Sequence, residues 1–189
     1  MDLGIAGRSA LLVGPDDEVA AACRRLLVAE GARIATAVDD GVVDIVIAHG
    51  VTRHGSQVLA VESAEEWHTA WDDVVAALDV FGRALPGMRS RGWGRFVWVG
   101  TAGSRALDAE LPGQLDEVGA VTSLAMRAAQ KVIASEGGPE GVVANSVLRG
   151  GEATADDVAA AVAYFCSQWC GYITGASVDV TGGVGSGMF

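Results

Sequence analysis

Residues 9–38 read SALLVGPDDEVAAACRRLLVAEGARIATAV, and the pattern of this stretch decides the fold. A short apolar run over 9–14 ends in glycine, and apolar side chains then recur at helical spacing over 18–30. Gly31 is a natural helix stop, and residues 33–38 alternate as a strand does. The stretch therefore predicts a strand, a helix and a second strand, which is the unit that builds parallel sheets.

The rest of the chain repeats this alternation. Further strands are predicted at 42–48, 95–99, 141–148 and 177–180, and further helices at 65–88, 118–136 and 156–169. Helices of this length between strands imply right-handed crossovers. We therefore predict an α/β fold, a three-layer, Rossmann-like, doubly wound and mostly parallel sheet of about six strands. Because no linker or repeat divides the chain, we expect one domain over residues 1–189, with a Gly-rich tail at 183–189.

Composition limits the partners of the protein. The 24 acidic and 13 basic residues give a net charge of −11, which repels phosphate backbones and anionic membranes, so we expect neither nucleic acid nor membrane as a partner. No apolar run is long enough to cross a bilayer, and we see no leader at the start, so we expect a cytoplasmic protein. Cys23, Cys166 and Cys170 are expected to be reduced thiols, and because nothing nearby completes a zinc set we expect no metal.

Several segments together resemble the short-chain dehydrogenase/reductase family. Early in the chain these are DLGIAGR at 2–8, AEGAR at 29–33, ALPGMR at 84–89 and GWGRFV at 92–97, and late in the chain they are GVVANSV at 141–147, YITG at 172–175 and the closing Gly182-Gly183. The resemblance spans nearly the whole chain and implies the family's Rossmann-like fold. Compared with the family, about one strand-helix unit is absent between Asp40 and Val42. The loop after the sixth strand of the family is also reduced, to residues 149–154.

The family's cofactor loop is degenerate in this chain. In the family, a glycine motif lets the backbone approach the cofactor pyrophosphate at a helix N-terminus. The four motif positions fall on Val13, Gly14, Glu18 and Ala20. Asp16, Asp17 and Glu18 would confront the phosphates, at a cost on the order of 4 kcal/mol for one pair ~4 Å apart. Alternatively the acids cap the first helix, an interpretation that we favour. In either case we expect no bound cofactor and no NAD(P).

The family's catalytic residues are also replaced. Thr101 falls where the family has a serine and keeps a hydroxyl. In the family a Tyr-x-x-x-Lys pair supplies the acid/base, because the lysine lowers the pKa of the tyrosine, but these positions hold Gly119 and Ser123. The asparagine of the family's proton relay falls near Asp73 or Val74. The resemblance therefore implies an oxidoreductase ancestry without hydride transfer.

One histidine is a residual candidate for chemistry. His49 ends a predicted central strand, at the edge where parallel sheets bind ligands, in Ala48-His49-Gly50 where the family has Asn-Asn-Ala-Gly. Asp116 and Glu117, just before the predicted helix 118–136, could approach His49. Alternatively, His49 hydrogen-bonds a loop and the two acids form a helical first turn, which we favour.

The predicted helices 65–88 and 118–136 carry the candidate interface. Family members dimerise by packing these two helices into a four-helix bundle, and a large aromatic side chain on a helix suits either a core or an interface centre. The candidate interface residues are Trp67, Trp71, Leu78, Phe81, Ala125 and Ala128. By resemblance, Trp169 and residues 185–189 belong to a second interface.

Three functions remain open at this point. The first is a non-catalytic scaffold or regulatory subunit, which forms a homo-oligomer or a heteromer with an active homologue of the family. The second is a module that binds a small ligand or an acyl thioester in the vacated crevice. The third is a divergent enzyme that uses His49 and Thr101 without nicotinamide.

Overall fold

The computed structural model describes residues 2–38, 42–50, 63–102, 117–150 and 153–183. The strands within these ranges are β1 (Ser9–Val13), β2 (Arg33–Ala35), β3 (Ile45–His49), β4 (Gly94–Thr101), β5 (Val142–Arg149) and β6 (Ser177–Val180). The α-helices are α1 (Glu18–Ala29), α2 (Ala64–Ser90), α3 (Glu117–Gly137) and α4 (Ala155–Cys166). Each of these elements overlaps one that the sequence predicts.

The strands form one parallel sheet in the order β2-β1-β3-β4-β5-β6. The chain moves outward from β1 to β2 and then returns to place β3 on the other side of β1. Helix α1, which follows β1 in the chain, and helix α2, which follows β3, lie on opposite faces of the sheet. The carboxyl ends of β1 and β3 are therefore the place where ligands of such sheets bind. The prediction of a doubly wound parallel sheet of about six strands is confirmed.

The helices cover both faces of the sheet, with α1 and α4 on one face and α2 and α3 on the other. On the first face Leu27 and Phe165 belong to the same core as Ile47. On the second face Met88 and Met126 share a core with Phe96. Strand β3 is buried along its whole length, which agrees with its nearly all-apolar sequence.

Helix α4 is shorter than its sequence pattern predicts. It ends at Cys166 rather than at residue 169, because Ser167 takes an extended backbone and its hydroxyl donates to the carbonyl of Tyr164 at 2.6 Å. Gln168–Cys170 then form a short 3-10 turn. The apolar spacing continues through this turn, so periodicity alone does not locate the end of the helix.

The central strand β3 begins later than predicted, at Ile45 rather than at residue 42. Before it, the carboxylate of Asp44 accepts the N–H of Ser9 at 3.1 Å and joins the start of β1 to the start of β3. Strand β2 is also shorter than predicted and ends at Ala35. Among the described helices, none combines the length and the apolar character needed to cross a membrane.

Candidate functional site

The carboxyl ends of the central strands meet the starts of α1 and α3 around a small crevice. Its lining residues are Val19, His49, Gly50, Trp98, Val99, Gly100, Thr101, Gly119, Thr122, Ser123 and Arg149. The crevice encloses a volume of about 30 Å³. A water molecule needs roughly 10–15 Å³ measured in this way, so this space accepts very few atoms as it stands.

The N-terminus of α1 lies at one end of this crevice and is capped by the chain itself. The Oδ1 atom of Asp17 accepts the N–H groups of Val19 and Ala20, both at 3.0 Å. These are the free donors of a helix N-terminus, which would otherwise be available to an anion such as a phosphate. The helix-capping interpretation is therefore confirmed for Asp17.

The loop before α1 also approaches β3 closely at Gly14. Its φ of +127° lies in the region that favours glycine, and a Cβ built there would lie 2.1 Å from the carbonyl oxygen of His49. Gly14, the residue that the family motif retains, is thus required by the packing of this loop on β3, whether or not a cofactor binds.

Two other acids of the loop region are paired with arginines. Asp16 lies 3.1 Å from the guanidinium of Arg24, and Glu18 lies 2.8 Å from that of Arg149. Because each of these carboxylates has a cation beside it, repulsion of a phosphate is weaker than the estimate for bare carboxylates. The main obstacle to a phosphate at α1 is the occupation of its N–H groups by Asp17.

His49 lies beneath the same loop and is only 4% exposed. Its Nδ1 atom is 3.8 Å from Oδ2 of Asp17. Burial lowers the pKa of the ring, and this effect outweighs the opposing effects of Asp17, Asp73 and backbone hydrogen bonds at Gly50 and Pro15. The neutral form of the ring is therefore favoured, and a structural role of His49 beneath the loop stays a prediction.

On the α3 side of the crevice, the positions of the missing acid/base pair lie close to Thr101. Its backbone N–H donates to Oγ of Ser123 at 3.1 Å, and Gly119 lines the same crevice. A Cβ on Gly100 would lie 2.6 Å from both Oγ of Ser123 and Nε1 of Trp98. The structure thus places His49, Thr101, Gly119 and Ser123 around one crevice.

Asp73 of α2 faces a second, smaller cavity beside the crevice. This cavity, of about 10 Å³, is lined also by Gly50, Trp98 and Gly119. Asp73 therefore lies near the site, where the resemblance puts the family's relay residue. Asp116 lies outside the described residues, and so do residues 184–189 of the tail.

Sequence analysis missed two residues of the crevice. Trp98 was overlooked because it lies within an apolar strand, yet its Nε1 is buried and has no hydrogen-bond partner among the described residues. Arg149 was considered only as part of a shortened loop, although a charged residue at the end of an apolar strand could have indicated a place at the edge of the sheet. Its partner Glu18 is distant in sequence, so only the fold reveals the pair.

The three cysteines are buried thiols. Burial raises the pKa of Cys23 to about 12 and that of Cys170 to about 11, and it also raises the pKa of Cys166. Among the described residues, no group of three or more His, Cys, Asp or Glu side chains is arranged to hold a metal ion.

The candidate interface residues fall into different environments. Trp71 and Leu78 are exposed, as is Ala128, whereas Trp67 and Ala125 are half-buried. Phe81 is only 3% exposed, and its ring centroid is 4.6 Å from that of Phe96. Its assignment to the interface is therefore wrong, because this side chain faces the sheet. Four exposed apolar residues of α2 and α3 were missed, namely Val75, Val121, Leu124 and Val132.

Comparison with protein-family models gives no match, and comparison with curated proteins gives none either. Among solved structures, a short chain dehydrogenase/reductase family protein superposes with a TM-score of 0.79 at 21% identity, covering 97% of this chain and 98% of the other. A betaketoacyl-ACP reductase superposes with a TM-score of 0.81 at 20% identity, covering 95% and 98%. The chain therefore has the fold of the short-chain dehydrogenase/reductases over nearly its whole length.

Proposed function

We propose that this protein is a catalytically impaired, dehydrogenase-like protein that serves as a scaffold or regulatory subunit. It assembles with itself or with an active oxidoreductase homologue and binds no nicotinamide cofactor of its own. The observation that carries the proposal is the cap at the start of α1, where Asp17 takes the N–H groups of Val19 and Ala20. A dinucleotide in this fold needs those donors for its pyrophosphate.

The composition of the crevice supports the loss of hydride transfer. Gly119 has no side chain, and Ser123 carries a hydroxyl that does not exchange a proton usefully near pH 7. His49 could still act as a base in the crevice, but its side chain is buried. Asp17, whose carboxylate lies near the His49 ring, already caps α1. A divergent enzyme that depends on His49 and Thr101 has less support than a non-catalytic role.

Exposed apolar side chains on α2 support the assembly role. Trp71, Val75 and Leu78 fall within about 60° of one another around the helix axis, so they form one stripe. Val75 is 62% exposed. Helix α2 buries a separate set of residues, including Phe81 and Met88, against the sheet, so this stripe is not needed for the core of the monomer.

Helix α3 carries a second exposed stripe. Val121, Leu124 and Val132 lie on the side of the helix away from its buried residues, and Val132 is 57% exposed. Ala128, on the same side, adds little bulk and permits a close approach of a partner helix. Apolar surface of this kind marks interaction sites in soluble proteins.

Light scattering on the purified protein at micromolar concentration tests the assembly role. We expect an oligomer, or a monomer that captures a dehydrogenase homologue from its own cell. Trp71→Glu on α2 and Val132→Glu on α3 each put a charge into one stripe and should dissociate the assembly. Val28→Glu, a change at an exposed apolar site of α1 on the opposite face of the sheet, is the matched control and should leave the mass unchanged. A monomeric wild-type protein that captures no homologue would contradict the proposal.

A further inference from the structure

Helix α2 contains a glycine that the fold of the single chain does not require. Gly82 lies inside the helix and is exposed, and a Cβ built on it would meet no atom within 4 Å. Its backbone is helical, with a φ that any residue can adopt. Because glycine destabilises a helix interior relative to alanine, its presence here indicates that a group from outside the chain needs the space.

The carbonyl of Gly82 also lacks its usual donor. Pro86, four residues later in α2, has no N–H and cannot make the helical hydrogen bond to this carbonyl. Because Gly82 has no Cβ, a group that approaches the exposed side of α2 can come close to the backbone there. Position 82 therefore offers both a gap and an acceptor.

Trp71 carries the complementary group on the same helix. Its side chain is 40% exposed, and its indole N–H makes no hydrogen bond to the described residues. An indole N–H can only donate, so the group that it needs is an acceptor such as a carbonyl. A large ring with one polar end is therefore suited to a gap beside a free backbone carbonyl.

Trp71 and Gly82 are placed symmetrically on the exposed stripe of α2. Trp71 lies four residues before Val75, Gly82 lies four residues after Leu78, and all four fall within about 60° around the helix axis. When a second copy of α2 packs antiparallel on this stripe about a two-fold axis, Trp71 of each copy meets Gly82 of the other, and Val75 meets Leu78. The stripe is thus complementary to itself, as a two-fold interface requires.

The charges of α2 favour the antiparallel orientation. The first half of the helix holds four acidic residues, and the second half holds one acid and both arginines. In chain order these are Glu65, Glu66, Asp72 and Asp73, then Asp79, Arg83 and Arg89. Antiparallel copies put the acidic half of each helix opposite the arginines of the other, whereas parallel copies put acid against acid.

We propose that the partner in the assembly is a second copy of this chain, docked through α2, with the indole of Trp71 seated on Gly82 of the other copy and its N–H donating to that carbonyl. The inference rests on the proposed assembly role and narrows its two partners to one. It makes Gly82 a residue that determines which protein the stripe accepts, because a side chain in its place leaves no room for the ring.

Gly82→Leu tests the contact by filling the gap. Leucine raises the helix propensity of α2 and its Cβ meets no atom of the chain, so the variant should fold as well as the wild type by circular dichroism. In light scattering at micromolar concentration, the wild-type protein should have at least twice the mass of one chain, and Gly82→Leu should halve that mass. Ala76→Leu, at an exposed position of α2 about 100° from the stripe, is the matched control and should leave the mass unchanged.

Trp71→Phe measures the contribution of the indole N–H separately from the space. It keeps an aromatic ring but removes one donor from each copy, so the dissociation constant of the assembly should rise about tenfold or more in a dilution series. If Gly82→Leu does not fold, this variant decides alone. An unchanged dissociation constant in Trp71→Phe overturns the proposed hydrogen bond.

The mass of the wild-type protein separates this inference from the assembly role on which it rests. A wild-type monomer that captures an active homologue from its own cell would overturn the inference and leave the assembly role standing. A monomer that captures no homologue would contradict both. An assembly whose mass is the same in Gly82→Leu overturns the inference as well, because its copies are then not held through the stripe of α2.

Discussion

Replacement of Asp17 by alanine tests the cap at the start of α1. The change leaves the N–H groups of Val19 and Ala20, each now bonded at 3.0 Å, without their acceptor. Loss of an N-cap oxygen costs about 1 kcal/mol, within a range of roughly 0.5–2. We expect the Asp17→Ala value near or above the middle of that range, because one carboxylate oxygen serves two donors in a half-buried position.

Urea unfolding at pH 7, followed by circular dichroism, measures this loss. With a slope of roughly 2 kcal/mol per M, a loss of about 1 kcal/mol moves the midpoint down by about 0.5 M. Asp17→Asn keeps an oxygen at the cap and should lose only a few tenths of a kcal/mol. Asp16→Ala removes an exposed ion pair with Arg24 and should change the midpoint little. An Asp17→Ala midpoint equal to that of the wild type, or an Asp17→Asn loss as large as that of Asp17→Ala, would refute the reasoning.

Three further changes have defined outcomes. The pKa of His49 in the folded protein lies below the ordinary value of 6.5, so the unfolded chain takes up the proton first and the free energy of unfolding should fall as the pH drops below about 6.5. In His49→Gln the urea midpoint should no longer show this decrease at low pH. A variant whose midpoints follow the same pH profile as the wild type would contradict the prediction. Phe81→Ala should lose roughly 3–5 kcal/mol in urea unfolding because it empties part of the core. Asp72→Ala, at an exposed site of α2 outside the apolar stripe, should lose less than about 0.5 kcal/mol, and similar losses for the two variants would contradict the assignment of Phe81 to the core. Gly119→Tyr combined with Ser123→Lys should give no turnover at the nicotinamide absorbance band, since the cap on α1 remains, and clear turnover would count against the role of that cap.

The sequence predicts the fold well because each element follows from local periodicity. The strand at 177–180 is predicted at the residues where β6 lies, and every helix is predicted within a few residues of its ends. The end of α4 is missed because Ser167 stops the helix through a turn and a side-chain hydrogen bond, while the apolar spacing continues past it.

The candidate site is predicted only in part. The cap by Asp17 follows from a short pattern at a helix start, and the place of Thr101 in the crevice follows from the resemblance to the family. The pairing of Arg149 with Glu18 does not, because only the fold brings together residues so far apart in sequence. Phe81 was assigned to the wrong side of α2 because the helix is apolar over a wide arc, and periodicity alone does not say which part of that arc faces the sheet.

Calorimetric titration of the purified protein with NAD(H) and NADP(H) tests most directly the claim that this chain has the fold but not the cofactor site. With the first N–H groups of α1 occupied by Asp17, we predict no measurable heat of binding for any of the four nucleotides at their physiological concentrations. A dissociation constant in the micromolar range for any one of them would contradict the account.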